Sequence, residues 1–177
     1  MRTAIVTLCL VMLGLAGPVV SAEPKSTDLP IEIFFSPKGG CTDAIIKEVK
    51  SAKGSVRVQA YWFTSGSIAK ALVEAHRRGV EVKVILDKSR TEKDNTQANV
   101  LIDGGVPTFI DDKHTTAHNK TVIIDGSVVI TGSFNFTDQA EHENAETLLV
   151  IRDKKVADKF AANWKAHAVH SGRYRKQ

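Results

Sequence analysis

Residues 117–136 read AHNKTVIIDGSVVITGSFNF. Two Val/Ile runs flank Asp125-Gly126, the dipeptide that most strongly marks a two-residue hairpin turn. Such a turn pairs Ile124 with Ser127 and, counting outward, Lys120 with Thr131 and His118 with Ser133. Side chains alternate along a strand, so His118 and Lys120 share a face, and Ser133 and Asn135 share the matching face of the partner strand. Opposed residues have Cβ atoms ~5 Å apart. The spacing therefore predicts a patch holding an imidazole, an ammonium, a hydroxyl and an amide. Gly132 then opposes Asn119 on the other face, where a missing side chain admits close backbone approach.

That set of groups suits a phosphate. Lysine and an amide donate hydrogen bonds to phosphoryl oxygens, and histidine can attack phosphorus or move protons near neutral pH. A His-x-Lys pair alone has a plainer reading, a core histidine satisfied by Ser133 with Lys120 extended to water. Asp125 is also simply a good turn residue.

Outward from the hairpin, strands alternate with helices. IEIFF (31–35), SVRVQAYWF (55–63), VEVKVIL (80–86), PTFI (107–110) and ETLLVI (146–151) read as strands. TDAIIKEVKSA (42–52, capped by Thr42), SIAKALVEAHRRG (67–79), TEKDNTQANVLIDGG (91–105, capped by Thr91) and 153–169 read as helices. The alternation predicts an α/β fold, a single layered domain with helices flanking a sheet that the hairpin makes mixed.

Residues 1–22 read as a secretory signal: Arg2, an apolar run over Ala4–Leu15, and small residues at Val20-Ser21-Ala22. Retention as a membrane anchor is the alternative. Residues 23–30 read as a linker, and RYRKQ within 171–177 as a basic, solvated tail. The expected location is periplasmic or secreted. Cleavage removes one arginine and no acid, so the net charge of +4 becomes +3, which permits a polyanionic partner. Cys9 leaves with the signal. Cys41 then has no internal partner and is expected to be buried and inert.

The full pattern H-x-K-x4-D-x6-G-S-x-N is met at His118, Lys120, Asp125, Gly132, Ser133 and Asn135, and it resembles the HKD signature of the phospholipase D superfamily. TGSFNFT followed by NAETLLVI is similar to the small bacterial nucleases of that superfamily, and the likeness runs from about 31 to about 167, through AYWFTS, ALVEAHRRGVEVKVILD and GGVPTFID. The resemblance implies a phospholipase D-like domain over 31–170. It implies that His118 is a nucleophile forming a phosphohistidine, that Lys120 and Asn135 bind phosphate, and that Ser133 supports the phosphate and histidine network. It assigns Glu146 to the glutamate that hydrogen-bonds the catalytic imidazole, and Asp125 to a supporting role.

The superfamily mechanism uses two such histidines. His76, His114, His142, His167 and His170 all lack a lysine two residues on. The resemblance therefore implies a homodimer with one composite site on a twofold axis. It implies a metal-independent endonuclease acting on nucleic acid, DNA first with RNA as the other candidate, and no cofactor. Cleavage of a phospholipid such as cardiolipin uses the same motif and is the alternative. A catalytically idle nucleic-acid-binding protein is a third reading.

His114 and His118 would share a face only on a helix. On a strand they stand ~13 Å apart, and the sequence offers no obvious carboxylate or cysteine cluster to complete a metal site with them. His114 and His142 are expected at the cleft rim or in solvent. Tyr61, Trp62 and Phe63 are expected to pack in a central strand, with base stacking as the functional alternative. Lys88 and Arg90, in a loop after VKVIL, either hold phosphates or are solvated.

Overall fold

A computed structural model describes residues 30–91 and 96–176. The signal and most of the linker expected at 1–30 lie outside the described residues. The strands are β1 (Ile31–Ser36), β2 (Ser55–Ala60), β3 (Glu81–Asp87), β4 (Thr108–Asp111), β5 (Lys120–Ile124), β6 (Val128–Gly132), β7 (Glu146–Ile151) and β8 (Gly172–Arg173). The helices are α1 (Cys41–Ser51), α2 (Gly66–Arg77), α3 (Lys88–Thr91), α4 (Ala98–Asp103), α5 (Asp138–His142) and α6 (Lys154–His170). The strands form one mixed sheet in the order β1-β7-β6-β5-β2-β3-β4-β8. Only β2-β3 and β3-β4 are parallel, each joined by a helical crossover. The expected α/β layered domain is what the chain forms.

Burial explains the layering. On one face, Ile45 and Val49 of α1, Ile68 and Leu72 of α2 and Leu101 of α4 pack on Val56, Val58, Val84 and Ile130. On the other, Ala157 and Trp164 of α6 cover Ile85, Ile123 and Val129. The Trp164 indole donates to the Val58 carbonyl at 3.0 Å, so its buried N–H is satisfied. Strands buried on both sides read as continuous Val/Ile runs. Phe63 joins this core, whereas Tyr61 and Trp62 are only half-buried beyond the end of β2. Cys41 is fully buried, and burial, reinforced by the Glu141 charge, pushes its thiol up to about 11. Its burial is as expected.

Several local expectations are corrected. The Asp125-Gly126 turn forms, with both residues at positive φ (51° and 61°) and the Ser127 amide donating to the Ile124 carbonyl at 3.0 Å. Yet Ile124 pairs with Val128, not Ser127, and the register runs on to Thr121 opposite Thr131. Ser127 is an extra residue in β6's approach. The cause is tertiary: the Asp125 amide donates to the Ser55 carbonyl at 2.9 Å, drawing the turn toward the α1–β2 loop. One residue of slip exchanges the faces of everything beyond.

Thr42 does not cap α1. The Glu141 carboxylate, arriving from α5, accepts the Gly40 and Thr42 amides at 3.1 and 2.7 Å. The helix expected over 91–105 is shorter. α4 begins at Ala98, whose amide donates to Thr96 Oγ1 at 3.3 Å. The residues expected as a solvated tail return to the sheet as β8 on β4, and Tyr174 donates to Asn99 Oδ1 at 3.1 Å. Among the described residues, no helix is long and apolar enough to cross a membrane.

Candidate active site

The corrected register puts Thr121 opposite Thr131, so continuing it sets Lys120 against Gly132. Gly132 is obligatory. Its φ is 151°, and a Cβ there would lie 2.0 Å from the Thr147 carbonyl oxygen of β7. Chain and sheet part company at this residue. Ser133 and Asn135 lie past the end of β6, so a loop rather than strand alternation brings them to the site. The Ser133 amide donates to the Thr147 carbonyl, and Ser133 Oγ accepts the Thr147 amide, both at 3.0 Å. The hydroxyl proton is left to donate elsewhere. Asn135 Oδ1 is buried without a hydrogen-bond partner, the signature of a group kept for a ligand or a second polypeptide.

Lys120 is buried, at 7% exposure, with its ammonium donating to the His118 carbonyl at 3.0 Å. Burial drives its pKa down to about 8, and the Glu146 carboxylate partly opposes this. A lysine held so close to neutrality marks a candidate functional group. The Tyr61 ring ties it to the histidine. Tyr61 lies 4.4 Å from the His118 ring centroid and 5.0 Å from Lys120 Nζ. On the other side, Arg90 stacks its guanidinium 4.7 Å from the Tyr61 centroid and 4.6 Å from that of Trp62.

His118 is exposed, and its backbone is fixed by β3. The buried Asp87 carboxylate accepts the neighbouring Ala117 amide at 2.7 Å, and the Tyr61 amide donates to the Asn119 carbonyl at 2.8 Å. Desolvation, then the Lys120 charge, then Arg90, lower the imidazole's pKa below its ordinary 6.5, against the pull of Asp87. A neutral, unprotonated ring is what a nucleophile requires.

Of the residues expected from sequence, His118, Lys120, Ser133, Asn135 and Glu146 are gathered at this end of the sheet. Glu146, however, accepts from Asn144 Nδ2 at 3.1 Å, and among the described residues no hydrogen bond joins it to His118 of the same chain. Asp125 is not brought to the site. It stands at the opposite end of β5, where its carboxylate accepts the amides of Lys53, Gly54 and Ser55 at 2.9, 2.7 and 2.8 Å. Sequence reasoning missed Asp87 as the anchor of the His118 segment and left Arg90 undecided. It also missed that Asp111, His114, His167 and His170 converge, so His114 belongs to a carboxylate–imidazole cluster rather than to a cleft rim. The available signal was spacing: Asp111-x-x-His114, and His167 with His170 on one face of a helix.

The chain matches the family described as "Cardiolipin synthase, PLD-like domain" over residues 45–168. It is 38% identical to a phospholipase D of Rickettsia bellii over 142 residues, covering 80% of this chain and 71% of the relative. It is 33% identical to a mitochondrial cardiolipin hydrolase of Xenopus laevis over 140 residues, covering 73% of this chain and 67% of the relative. Among solved structures it resembles the phospholipase D family member Nuc from Salmonella typhimurium, with TM-score 0.80 and 35% identity, covering 82% of this chain and 98% of that one.

Proposed function

From the premise that this chain belongs to the phospholipase D superfamily of phosphodiesterases, we propose that it is a metal-independent endonuclease whose site is shared by two copies. Arg90, stacked over Tyr61 and Trp62 beside the His118 ring, is the observation that carries the choice of substrate. A guanidinium on an aromatic platform, next to the attacking group, fits a phosphate and the base attached to it. The likeness of TGSFNFT and NAETLLVI to small bacterial nucleases points the same way. Export to the periplasm or beyond, as residues 1–22 suggest, would place the enzyme among extracellular DNA and RNA.

In this reading one His118 ring nitrogen attacks phosphorus, and the bond from phosphorus to the leaving oxygen breaks. The His118 of a second copy gives that oxygen its proton. Water then attacks the phosphohistidine, yields its proton to the second imidazole, and the phosphorus–nitrogen bond breaks. Lys120 and Asn135 from both copies hold the phosphoryl oxygens, supplying the positive potential that a metal ion supplies elsewhere. Among the described residues no hydrogen bond joins Glu146 to its own His118, so in this reading it orients the second copy's His118. The edge of the sheet supports this assembly. Ile31, Ile33 and Phe35 of β1 are exposed at 39%, 57% and 63%, an apolar stripe on the edge strand beside β7. Phe35 pairs with Thr147, the residue bonded to Ser133, so a copy docked on the stripe meets the site.

The relatives named phospholipase D and cardiolipin hydrolase favour a second reading, a phospholipid substrate. Incubation with plasmid DNA, RNA and cardiolipin-containing vesicles, each in excess EDTA, decides. The nuclease reading expects nicked and fragmented nucleic acid and intact lipid. Lipid turnover without nucleic-acid cleavage would replace it, and cleavage that stops in chelator and returns with one divalent ion would refute the metal-free mechanism.

A further inference from the structure

The end of β4, the loop that leads to His118 and the last turn of α6 meet at one point. Asp111 is completely buried there. Its Oδ2 lies 2.6 Å from His167 Nδ1 and 3.0 Å from His114 Nδ1, and its Oδ1 lies 3.3 Å from His170 Nε2. The three imidazoles crowd one another, with centroids 4.7, 5.3 and 5.5 Å apart. Oδ1 also faces the amides of Lys113 and His114 at 3.2 and 3.4 Å, so the single carboxylate is oversubscribed. His170 Nε2 shows the consequence. It is sealed from solvent and, despite its distance from Oδ1, makes no hydrogen bond of acceptable geometry.

A proton on each ring would set three cations around one anion. A divalent ion at the centre resolves the conflict, because it takes the nitrogen lone pairs and the carboxylate together. We propose that Asp111, His114, His167 and His170 form a structural site for a divalent transition-metal ion, Zn²⁺ by its donor set, that fastens the last turn of α6 to the loop carrying His118. Three imidazoles and a carboxylate make a closed tetrahedral set with borderline-soft donors. The four donor atoms lie within 4.8 Å of one another. A tetrahedral site with bonds of ~2.0–2.2 Å needs separations of ~3.3–3.5 Å, reached by small rotations of the side chains. His114, whose side chain is 46% exposed, gives the ion its way in.

The ion has no part in the phosphoryl chemistry, which uses none of these four residues. Its effect is mechanical. Asp111 pairs with Asp87 across β3 and β4, and Asp87 holds the Ala117 amide, so the clamp sits directly behind the segment that presents His118.

The full chain, stripped with a chelator and dialysed, is titrated with ZnCl₂ by calorimetry, and with Co²⁺ by visible absorption. One ion per chain, intense tetrahedral Co²⁺ bands and a melting temperature raised on the order of 5 °C are expected. His114→Ala, at an exposed loop position that leaves the fold unburdened, should weaken binding by about tenfold or more. The pair His167→Ala with His170→Ala should abolish both binding and the thermal shift. His118→Ala should bind the ion as the unmodified chain does. No binding at about 100 μM ion, far above the range of structural sites, or equal binding by His114→Ala, would overturn the proposal. So would loss of the ion in His118→Ala, which would move it to the active site.

Discussion

The ring of Tyr61 lies 4.4 Å from the ring of His118, tilted by 56°, and the same ring lies 5.0 Å from the Lys120 ammonium. One aromatic side chain therefore packs against both groups proposed to act on the phosphate. Tyr61→Ala should lower kcat about 10–100-fold with the fold intact, because displacement of about an ångström at a reacting group is costly. Tyr61→Phe keeps the ring and should stay within about threefold of the unmodified enzyme. Steady-state cleavage of a labelled oligonucleotide measures both. Equal damage from the two substitutions would assign the role to the hydroxyl instead.

The pH profile should be a narrow bell. One His118 must be neutral to attack while the second copy's His118 must be protonated to serve the leaving oxygen, and the imidazole's pKa is held below 6.5. A profile of kcat/KM should therefore peak below pH 6.5 and decline toward neutrality, before loss of the Lys120 charge near 8 removes a phosphate ligand as well. A profile that stays flat from about pH 6.5 to about 9 would separate His118 from the acid role and Lys120 from phosphate binding.

The same burial makes Lys120 a source of instability. Its folded pKa lies below the ordinary 10.5, so the cost is full below about 8 and fades as pH rises toward 10.5. Lys120→Met should abolish activity yet stabilise the fold at neutral pH, by on the order of 1–3 kcal/mol. Denaturant unfolding at pH 7 and pH 10 tests the sign, and the gain should shrink at the higher pH.

Asp125 should matter to the fold and not to the chemistry. Burial would raise its carboxyl pKa, but the amides of Ser55, Lys53 and Gly54 hold it below 3.8. Its contribution to stability is therefore present above 3.8 and is lost as pH falls through the lower folded value. Asp125→Ala should cost about 1–2 kcal/mol and leave the rate below the melting transition within about twofold. A folded Asp125→Ala protein with a collapsed rate would return the residue to the site.

These outcomes bear on what the sequence made legible. The spacing of His118, Lys120, Ser133 and Asn135 located the site because each lies within a few residues of one hairpin. The alternation of strands and helices located the layers. The register escaped because it is decided outside the hairpin, by Asp125 binding the α1–β2 loop. The caps of α1 and the return of β8 escaped for the same reason: Glu141 and Thr108 are distant in sequence from the amides they serve. The Asp111 cluster brings His167, 56 residues away in sequence, to Asp111, so the local spacing within each pair, Asp111 with His114 and His167 with His170, did not reveal that the pairs converge.

A shared site predicts that two damaged copies cannot repair one another. His118→Ala and Lys120→Ala, mixed and allowed to exchange, should form a heterodimer whose composite site still lacks one of each pair, and activity should not return. The unmodified protein should sediment as a dimer and lose specific activity on dilution below its dissociation constant. Full activity in a monomer across the dilution series would require the second acid to come from the same chain.

In the proposed mechanism His118 forms a covalent bond to phosphorus. The most direct test of that step is the cleavage rate of a single-stranded DNA oligonucleotide by His118→Ala in excess EDTA, with circular dichroism confirming the fold. Loss of a covalent catalyst should lower the rate by at least about 10³-fold, beyond what a repositioned substrate would cost. A folded His118→Ala protein that cleaves within about tenfold of the unmodified enzyme would contradict the account.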